Sequence, residues 1–377
     1  MKRNFINRGF AAAGLISLML ATAACGSNAN GANGANNGNG AASSPSPSAS
    51  QAASASPSAS ESAKPAGGGE TLTVYLNDFD EIIKPMFEEA TGYKLELVTG
   101  NGAEIMSRIE AEKGNPHWDV VWMDSMPSIE GLSQSGQLLE GYTPANAANL
   151  TDFAKGFVPA NQSYYPTGAH AASVIVYNTE AFDEASAPQS WADLADPKFK
   201  DAVGMADPAV AAPAYPFVAW FFESKGMEEG KAYFKGVLGN GTRVYPKNPN
   251  VAQALTGGEI KAAALQESNA YALKNGGEPI GIIWPEEGAP GSVRVAAIQK
   301  ETDHPEAAKA FVDFLLDPAT QQALIDQGEE SYFEPSVTGV NPKADREPNA
   351  KLVVAEASFA SGHEAEIKQW FADNAVQ

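Results

Sequence analysis

The chain has 377 residues, 46 of them acidic against 25 basic, a formal charge of −21, and a single cysteine. So acidic a surface argues against nucleic-acid binding and against peripheral attachment to anionic lipid, both of which need basic patches. One cysteine rules out a disulfide framework and any multi-thiolate metal site.

At the N-terminus, Lys2, Arg3 and Arg8 precede the uncharged run "AAAGLISLMLATAA", which is too short to span a bilayer. A basic start, an apolar middle and small residues at the end form the pattern of a secretory signal peptide over residues 1–24. The adjoining "TAAC" is similar to the lipobox of bacterial lipoproteins, with Thr22 where leucine is usual. That resemblance implies a lipidated Cys25 and a domain anchored to the membrane without crossing it. Residues 26–69 contain no Val, Ile, Leu, Met, Phe, Tyr or Trp. They cannot bury a core, so residues 25–69 are expected to act as a solvated tether. A flexible coil of that length spans roughly 35 to 40 Å.

Residues 70–377 keep 21 of the basic and 45 of the acidic residues, and are more than one hydrophobic core usually serves. "TLTVYL" reads as a strand; "DFDEIIKPMFEEATGY" places Ile82, Ile83, Met86, Phe87 and Ala90 at helical spacing before Gly92. "YKLELV", the turn "TGNGAE", a helix carrying Ile105, Met106 and Ile109, and the strand "DVVWM" follow. Strand alternating with helix predicts an α/β unit with a largely parallel sheet. The order repeats in "AVGMAD", the helix around "FVAWFF", "RVYP", "NVAQALTGG", "IKAAAL" and a helix near "SNAYALKN". The β-branched run in "GAHAASVIVYNTE" is long enough to cross between two units, and "PIGIIWPEEGAPGSVRVAAIQK" offers the return. Two helical segments, "HPEAAKAFVDFLLDPATQQALIDQ" and "LVVAEASFASGHEAEIKQWFADN", close the chain. Lobe 1 is expected over 70–172 and 285–377 and lobe 2 over 173–284, with a ligand cleft beyond the carboxyl ends of the strands.

The opening "TLTVYLNDFDEIIKPMFEEATGYKLELV", "DVVWMDS", "ASVIVYNTE", "ADP" at 206–208 and "HPEAAKAFVDFLLDPATQQAL" together resemble bacterial extracellular solute-binding proteins of ABC importers. The similarity lies with the branch that holds ferric-iron, phosphonate, sugar-phosphate, thiamine and polyamine binders. It implies a type II periplasmic-binding-protein-like fold, two lobes closing about two hinge crossings, and a monomer delivering its ligand to a permease and its ATPase. Ligand contacts in both lobes would favour the closed state.

Three ligand classes stay open. Ferric binders of this branch usually carry adjacent tyrosines where this chain reads "LQESNAYAL", so Asn269 and Ala270 replace the pair and leave Tyr271. A hard cation would then draw on oxygens of Glu267, Tyr271, Asp78 and Asp124. Tyr164 and Tyr165 are adjacent but precede the crossing strand. For an anion, "ADPAVAAPAYPF" lacks the Ser and Thr of phosphonate binders, whereas Asn101 and Gly102 open a helix whose N-terminal amides favour negative charge. For an amine, aromatic and acidic residues pair near strand ends, Tyr75 with Asp78, Trp122 with Asp124, Trp284 with Glu286, with Tyr215 from lobe 2. Asn77, Ser125 and His170 flank these positions. The chain lacks G-x-S-x-G, H-E-x-x-H, a Walker loop and G-x-G-x-x-G, so neither an enzyme nor a cofactor is expected.

Overall fold

The computed structural model describes residues 69–328 and 330–375; the expected signal peptide, Cys25 and the tether up to residue 68 lie outside them. The first sheet is built from β1 (Thr71–Leu76), β2 (Lys94–Thr99) and β3 (Val120–Met123), paired in parallel in the order β3-β1-β2. Between them run α1 (Asp80–Thr91) and α2 (Gly102–Ala111), and after β3 comes α3 (Met126–Gln134). Alternation along the strands decides what faces where. Leu72, Val74, Leu76, Val120 and Trp122 enter one core with Ile83 and Phe87 of α1, while Tyr75, Val121 and Met123 enter the opposite core with Ile105 and Ile109 of α2. Each such aliphatic or Phe side chain leaving water contributes about 1.5–3 kcal/mol. Gly92 ends α1 at φ 82°, donating its N–H to the Glu88 carbonyl, a turn that any side chain would strain.

A short helix α4 (Asp152–Lys155) leads into β4 (Tyr164–Ala171), the edge of the first sheet. Two residues later β5 (Val174–Asn178) already belongs to the second sheet, so the chain changes lobe at Ala172–Ser173. The second sheet comprises β6 (Val203–Ala206), then, after α5 (Ala214–Lys225) and α6 (Met227–Gly239), β7 (Arg243–Tyr245). It continues through α7 (Asn248–Thr256), β8 (Ala262–Leu265), α8 (Glu267–Asn275) and β9 (Ile280–Ile283), in the order β7-β6-β8-β5-β9. The chain returns to the first sheet in β10 (Ala289–Ile298). The sheets are mixed: β7-β6-β8 is parallel like β3-β1-β2, whereas β5 runs antiparallel to β8 and β9, and β10 antiparallel to β3 and β4, where the chain crosses between lobes.

After β10 come α9 (Pro305–Leu315) and α10 (Pro318–Gln327), packed on the lobe 1 core through Phe311, Leu315 and Leu324. An irregular strap over 330–351 then runs to β11 (Leu352–Val353) and α11 (Ala357–Asn374). The expected lobe boundary needs correction here. Helix α11 does not sit with lobe 1 alone: Ile367 and Phe371 are buried in the lobe 2 core beside Phe222 and Phe234, while Glu364 accepts from Ser128 of α3. The strap and α11 thus connect the lobes in addition to the two strand crossings.

Candidate functional site

A cleft of about 240 Å³ opens between the lobes at the carboxyl ends of the parallel strands. Lobe 1 presents Asn77 and Asp78 after β1, Asn101 and Gly102 after β2, and Asp124 after β3. Lobe 2 presents the starts of three helices: Ala212 and Pro213 before α5, Lys247 and Asn248 at α7, and Gln266 and Asn269 at α8. The strap adds Glu330.

The lobe 1 wall is a connected polar cluster. Asn77 Nδ2 donates to Asp78 Oδ2 and to Asp124 Oδ1, both at 2.7 Å, and Asp124 N donates back to Asn77 Oδ1 at 3.2 Å. Arg294 of β10, itself buried, donates to the Asn77 carbonyl at 2.6 Å and to Asp78 Oδ2 at 2.5 Å. Its guanidinium lies over the rings of Phe79 and Trp122 at 5.1 and 5.4 Å. Asp78 and Phe79 hold consecutive left-handed backbone conformations, φ 63° and 61°. Two such non-glycine residues in a row cost about 1–2 kcal/mol each, and the Arg294 contacts hold the turn that aims Asp78 into the cleft.

Asp124 is fully buried, yet its Oδ2 accepts no hydrogen bond. Arg294 Nη2 and His170 Nε2 each stand 3.6 Å away. His170 Nε2 is 3.3 Å from Gln266 Nε2, so it acts as the acceptor of that amide and has no proton to give Asp124. Burial, reinforced by Arg294, pulls the His170 pKa down to about 3, so the ring is neutral. Burial also raises Asp124, against the lowering pull of Arg294 and Asn77. Asp78 rises for the same reason, with Arg294 opposing and the Asp124 charge adding to the shift. Glu330 is pushed up to about 8, first by burial and then by Asp78 and Asp124.

The opposite wall is electropositive. The first turn of any helix leaves N–H groups without intrahelical partners and carries the positive end of the macrodipole. Three such ends, from α5, α7 and α8, converge here with Lys247, and Asn248 Oδ1 accepts from Gln266 N at 3.3 Å, tying two of them together. Asn269 Oδ1 is buried and unpaired on this wall. The α2 terminus, expected as the anion end, is less available: Asn101 caps Glu104 N at 3.0 Å and Glu104 Oε2 accepts from Asn101 N at 2.9 Å. That capping box satisfies two amides and adds a carboxylate.

Of the sequence-chosen residues, Asn77, Asp78, Asn101, Gly102 and Asp124 line the cleft, and His170 lines a smaller adjoining cavity with Glu330 and Arg294. The others are placed elsewhere. Ser125 is buried 3.1 Å from the Ser128 hydroxyl. Tyr215 is buried in the lobe 2 core with its hydroxyl donating to the Ala360 carbonyl. Glu267 is fully buried but turned away, accepting from Arg346 Nε at 2.6 Å and from Ala171 N at 2.8 Å. Tyr271 stacks on Tyr332 at 4.2 Å and its hydroxyl accepts from Glu347 N. Glu286 is exposed, outside the cleft lining. The aromatic cage is therefore absent: Tyr75 and Trp122 are fully buried by strand parity, and Trp284 packs under the Arg346 guanidinium at 5.8 Å. Sequence reasoning missed Arg294, Lys247, Asn248 and Glu330.

The lobes touch at Gly102. A Cβ there would stand 2.8 Å from Ala212 Cβ and 3.0 Å from Ala212 Cα. Gly102→Ala is expected to cost about 1–3 kcal/mol of closure, weakening ligand binding roughly five- to a hundredfold. Calorimetry gives the affinity; small-angle scattering should show a more open liganded state, and wild-type affinity would refute a closed state built on this contact.

Comparison with known proteins agrees with this architecture. A family model described as bacterial extracellular solute-binding protein matches residues 127–355. The major ferric iron-binding protein of Neisseria meningitidis serogroup B is 28% identical over 305 residues, covering 78% of this chain and 89% of that protein. A putative 2-aminoethylphosphonate-binding periplasmic protein of Salmonella typhimurium is 27% identical over 297 residues, covering 74% and 83%. The structure of the periplasmic binding protein AfuA from Actinobacillus pleuropneumoniae, with fructose-6-phosphate bound, superposes with a TM-score of 0.73 at 21% identity, covering 81% of this chain and 98% of that one. A mixed two-lobed α/β fold, a polar interlobe cleft and a family match over most of the folded part lead to one conclusion: the chain belongs to the bacterial extracellular solute-binding protein family.

Proposed function

We propose that this importer-type solute-binding protein captures a small zwitterion, a primary ammonium joined to an oxyanion, of the aminoalkylphosphonate class. One observation carries the reading: the buried, unpaired Asp124 Oδ2 on one wall of the cleft faces three helix N-termini and Lys247 on the other. An ammonium suits the acidic lobe 1 wall and an oxyanion the amides of lobe 2. Such a ligand touches both lobes only when they are closed, so its binding shifts the population toward closure. The Salmonella relative, by its name, takes a ligand of this kind.

The ferric reading, suggested by the Neisseria relative, has less support. No tyrosine lines the cleft among the described residues. Tyr164 donates to Glu130, Tyr165 to the Tyr142 carbonyl, and Tyr271 is engaged by the strap, while Arg294 already places a cation between the carboxylates.

Calorimetry on the purified folded domain tests the choice. 2-Aminoethylphosphonate is expected to bind, with ethylphosphonate and putrescine at least about 30-fold weaker, since each leaves one wall of the cleft without its complementary charge. Tighter binding of ferric citrate or putrescine would overturn the zwitterion reading.

The setting in the cell completes the proposal. Residues 1–24 act as signal peptide, Cys25 carries the lipid, and 25–69 tether a monomeric receptor on the outer face of the membrane, where it serves an ABC permease and its ATPase without turning its ligand over. Support comes from the "TAAC" sequence, the apolar-free tether and the binding, not catalytic, character of the family.

A further inference from the structure

Glu330 enters the cleft from neither sheet but from the strap, and the strap is fastened on both sides of the hinge. On lobe 1, Glu334 pairs with Ala169 of β4 and Val337 with Leu150. On lobe 2, Tyr332 stacks on Tyr271 and Arg346 binds Glu267, both of α8. At the start of the strap, just ahead of these fastenings, Glu330 Oε2 accepts from Gln266 Nε2 at 3.1 Å and borders both the main cleft and its adjoining cavity.

Its electrostatic surroundings are lopsided. Asp78 faces it from the β1–α1 turn, Asp124 from the β3–α3 turn, Arg294 from β10, neutral His170 from β4, Gln266 and Ser268 from α8, and Lys247 from the start of α7 across the cleft. Three carboxylates thus share one buried guanidinium, which donates directly to Asp78 alone. Lys247 stands on the far wall, so Arg294 is the one cation among the described residues set beside these carboxylates, and a proton is the cheapest further counter-charge.

We propose that Glu330 is the residue that selects for a primary ammonium, and that the ammonium replaces a proton on its carboxyl group when the ligand binds. The step balances simply: the Glu330 carboxylic acid and R–NH₃⁺ give a carboxylate–ammonium pair, and one proton passes to solvent. A ligand with no amine leaves the proton in place. The inference rests on the amine end of the reading above and makes a separate claim about which group meets it. The position of Glu330, raised to about 8, agrees with a proton held at neutral pH.

The test is calorimetry of wild type and Glu330→Gln in two buffers of different ionisation enthalpy, with 2-aminoethylphosphonate, putrescine and ethylphosphonate. At pH 7 wild type is expected to release close to one more proton per bound amine than Glu330→Gln, with no difference for ethylphosphonate. Wild type should also gain about tenfold in amine affinity from pH 6 to pH 7 relative to the variant. Equal proton counts and equal pH slopes in the two proteins, with 2-aminoethylphosphonate bound, would remove Glu330 and leave the zwitterion reading standing. Glu330-dependent release with putrescine but no binding of 2-aminoethylphosphonate would do the reverse. Failure of both amines to bind would overturn both claims. A thermal melt of Glu330→Gln matching wild type shows that the variant is folded.

Discussion

Arg346→Met is expected to lower the free energy of unfolding by about 3–5 kcal/mol, the cost of leaving a buried charge without its partner. The stranded group is Glu267, fully buried at the start of α8, whose two oxygens face the Arg346 guanidinium at 2.6 and 3.3 Å. Arg346 also reaches Glu334 at 2.8 Å, closing the strap on itself. Urea unfolding at pH 7 measures the loss. Adding Glu267→Gln to the arginine variant should restore a large part of it, since a neutral amide suffers far less from burial than an unmatched carboxylate. A loss below about 1 kcal/mol in the single variant would mean that the pair is relaxed by water or by strap movement, and would remove the argument that it seats Glu330.

Asp124→Asn should move stability and affinity in opposite directions. Burial raises the folded-state pKa of Asp124 above its unfolded value. In that case the folded state holds its proton more firmly, so the stability contribution is present below the unfolded pKa and declines as pH rises through the folded one. At neutral pH, above the unfolded pKa, this group therefore costs folding free energy, and the isosteric amide, which does not titrate, removes that cost. Asn77 keeps an acceptor at Oδ1, so the local hydrogen bonding survives. The ligand loses its buried counter-charge, and affinity for 2-aminoethylphosphonate is expected to fall about 30-fold or more. Thermal melts and calorimetry on one preparation give both quantities. A variant that binds as tightly as wild type would take Asp124 out of the site; one that is both weaker and less stable would mean that the carboxylate is structural.

Much of the fold is legible because periodicity is local. The alternation Leu72, Val74, Leu76 against Tyr75 reads straight off "TLTVYL", and "NGAE" carries the capping box that starts α2. The same alternation, applied one step further, would have removed Tyr75 and Trp122 from the ligand list, since both point into cores. Glu267 is harder: an acid at the end of a strand and the start of a helix looks like a ligand until its partner Arg346, 79 positions away, is known. Glu330 is harder still, because the strap between α10 and β11 has neither period and owes its place to stacking and ion pairs with both lobes. Chain order alone put α11 with lobe 1, and only the burial of Ile367 and Phe371 among lobe 2 aromatics reveals its double allegiance.

That allegiance bears on how the molecule moves. A clasp joined only by two extended segments opens like a book, along a line of easy backbone rotation. Here α11 lies against α3 of one half and α5 of the other, pinned by Ser128 to Glu364 and by Tyr215 to Ala360. Swinging the halves apart must roll this rod along at least one of its seats, so the gape is set by how far Phe371 can turn among its aromatic neighbours before packing is lost.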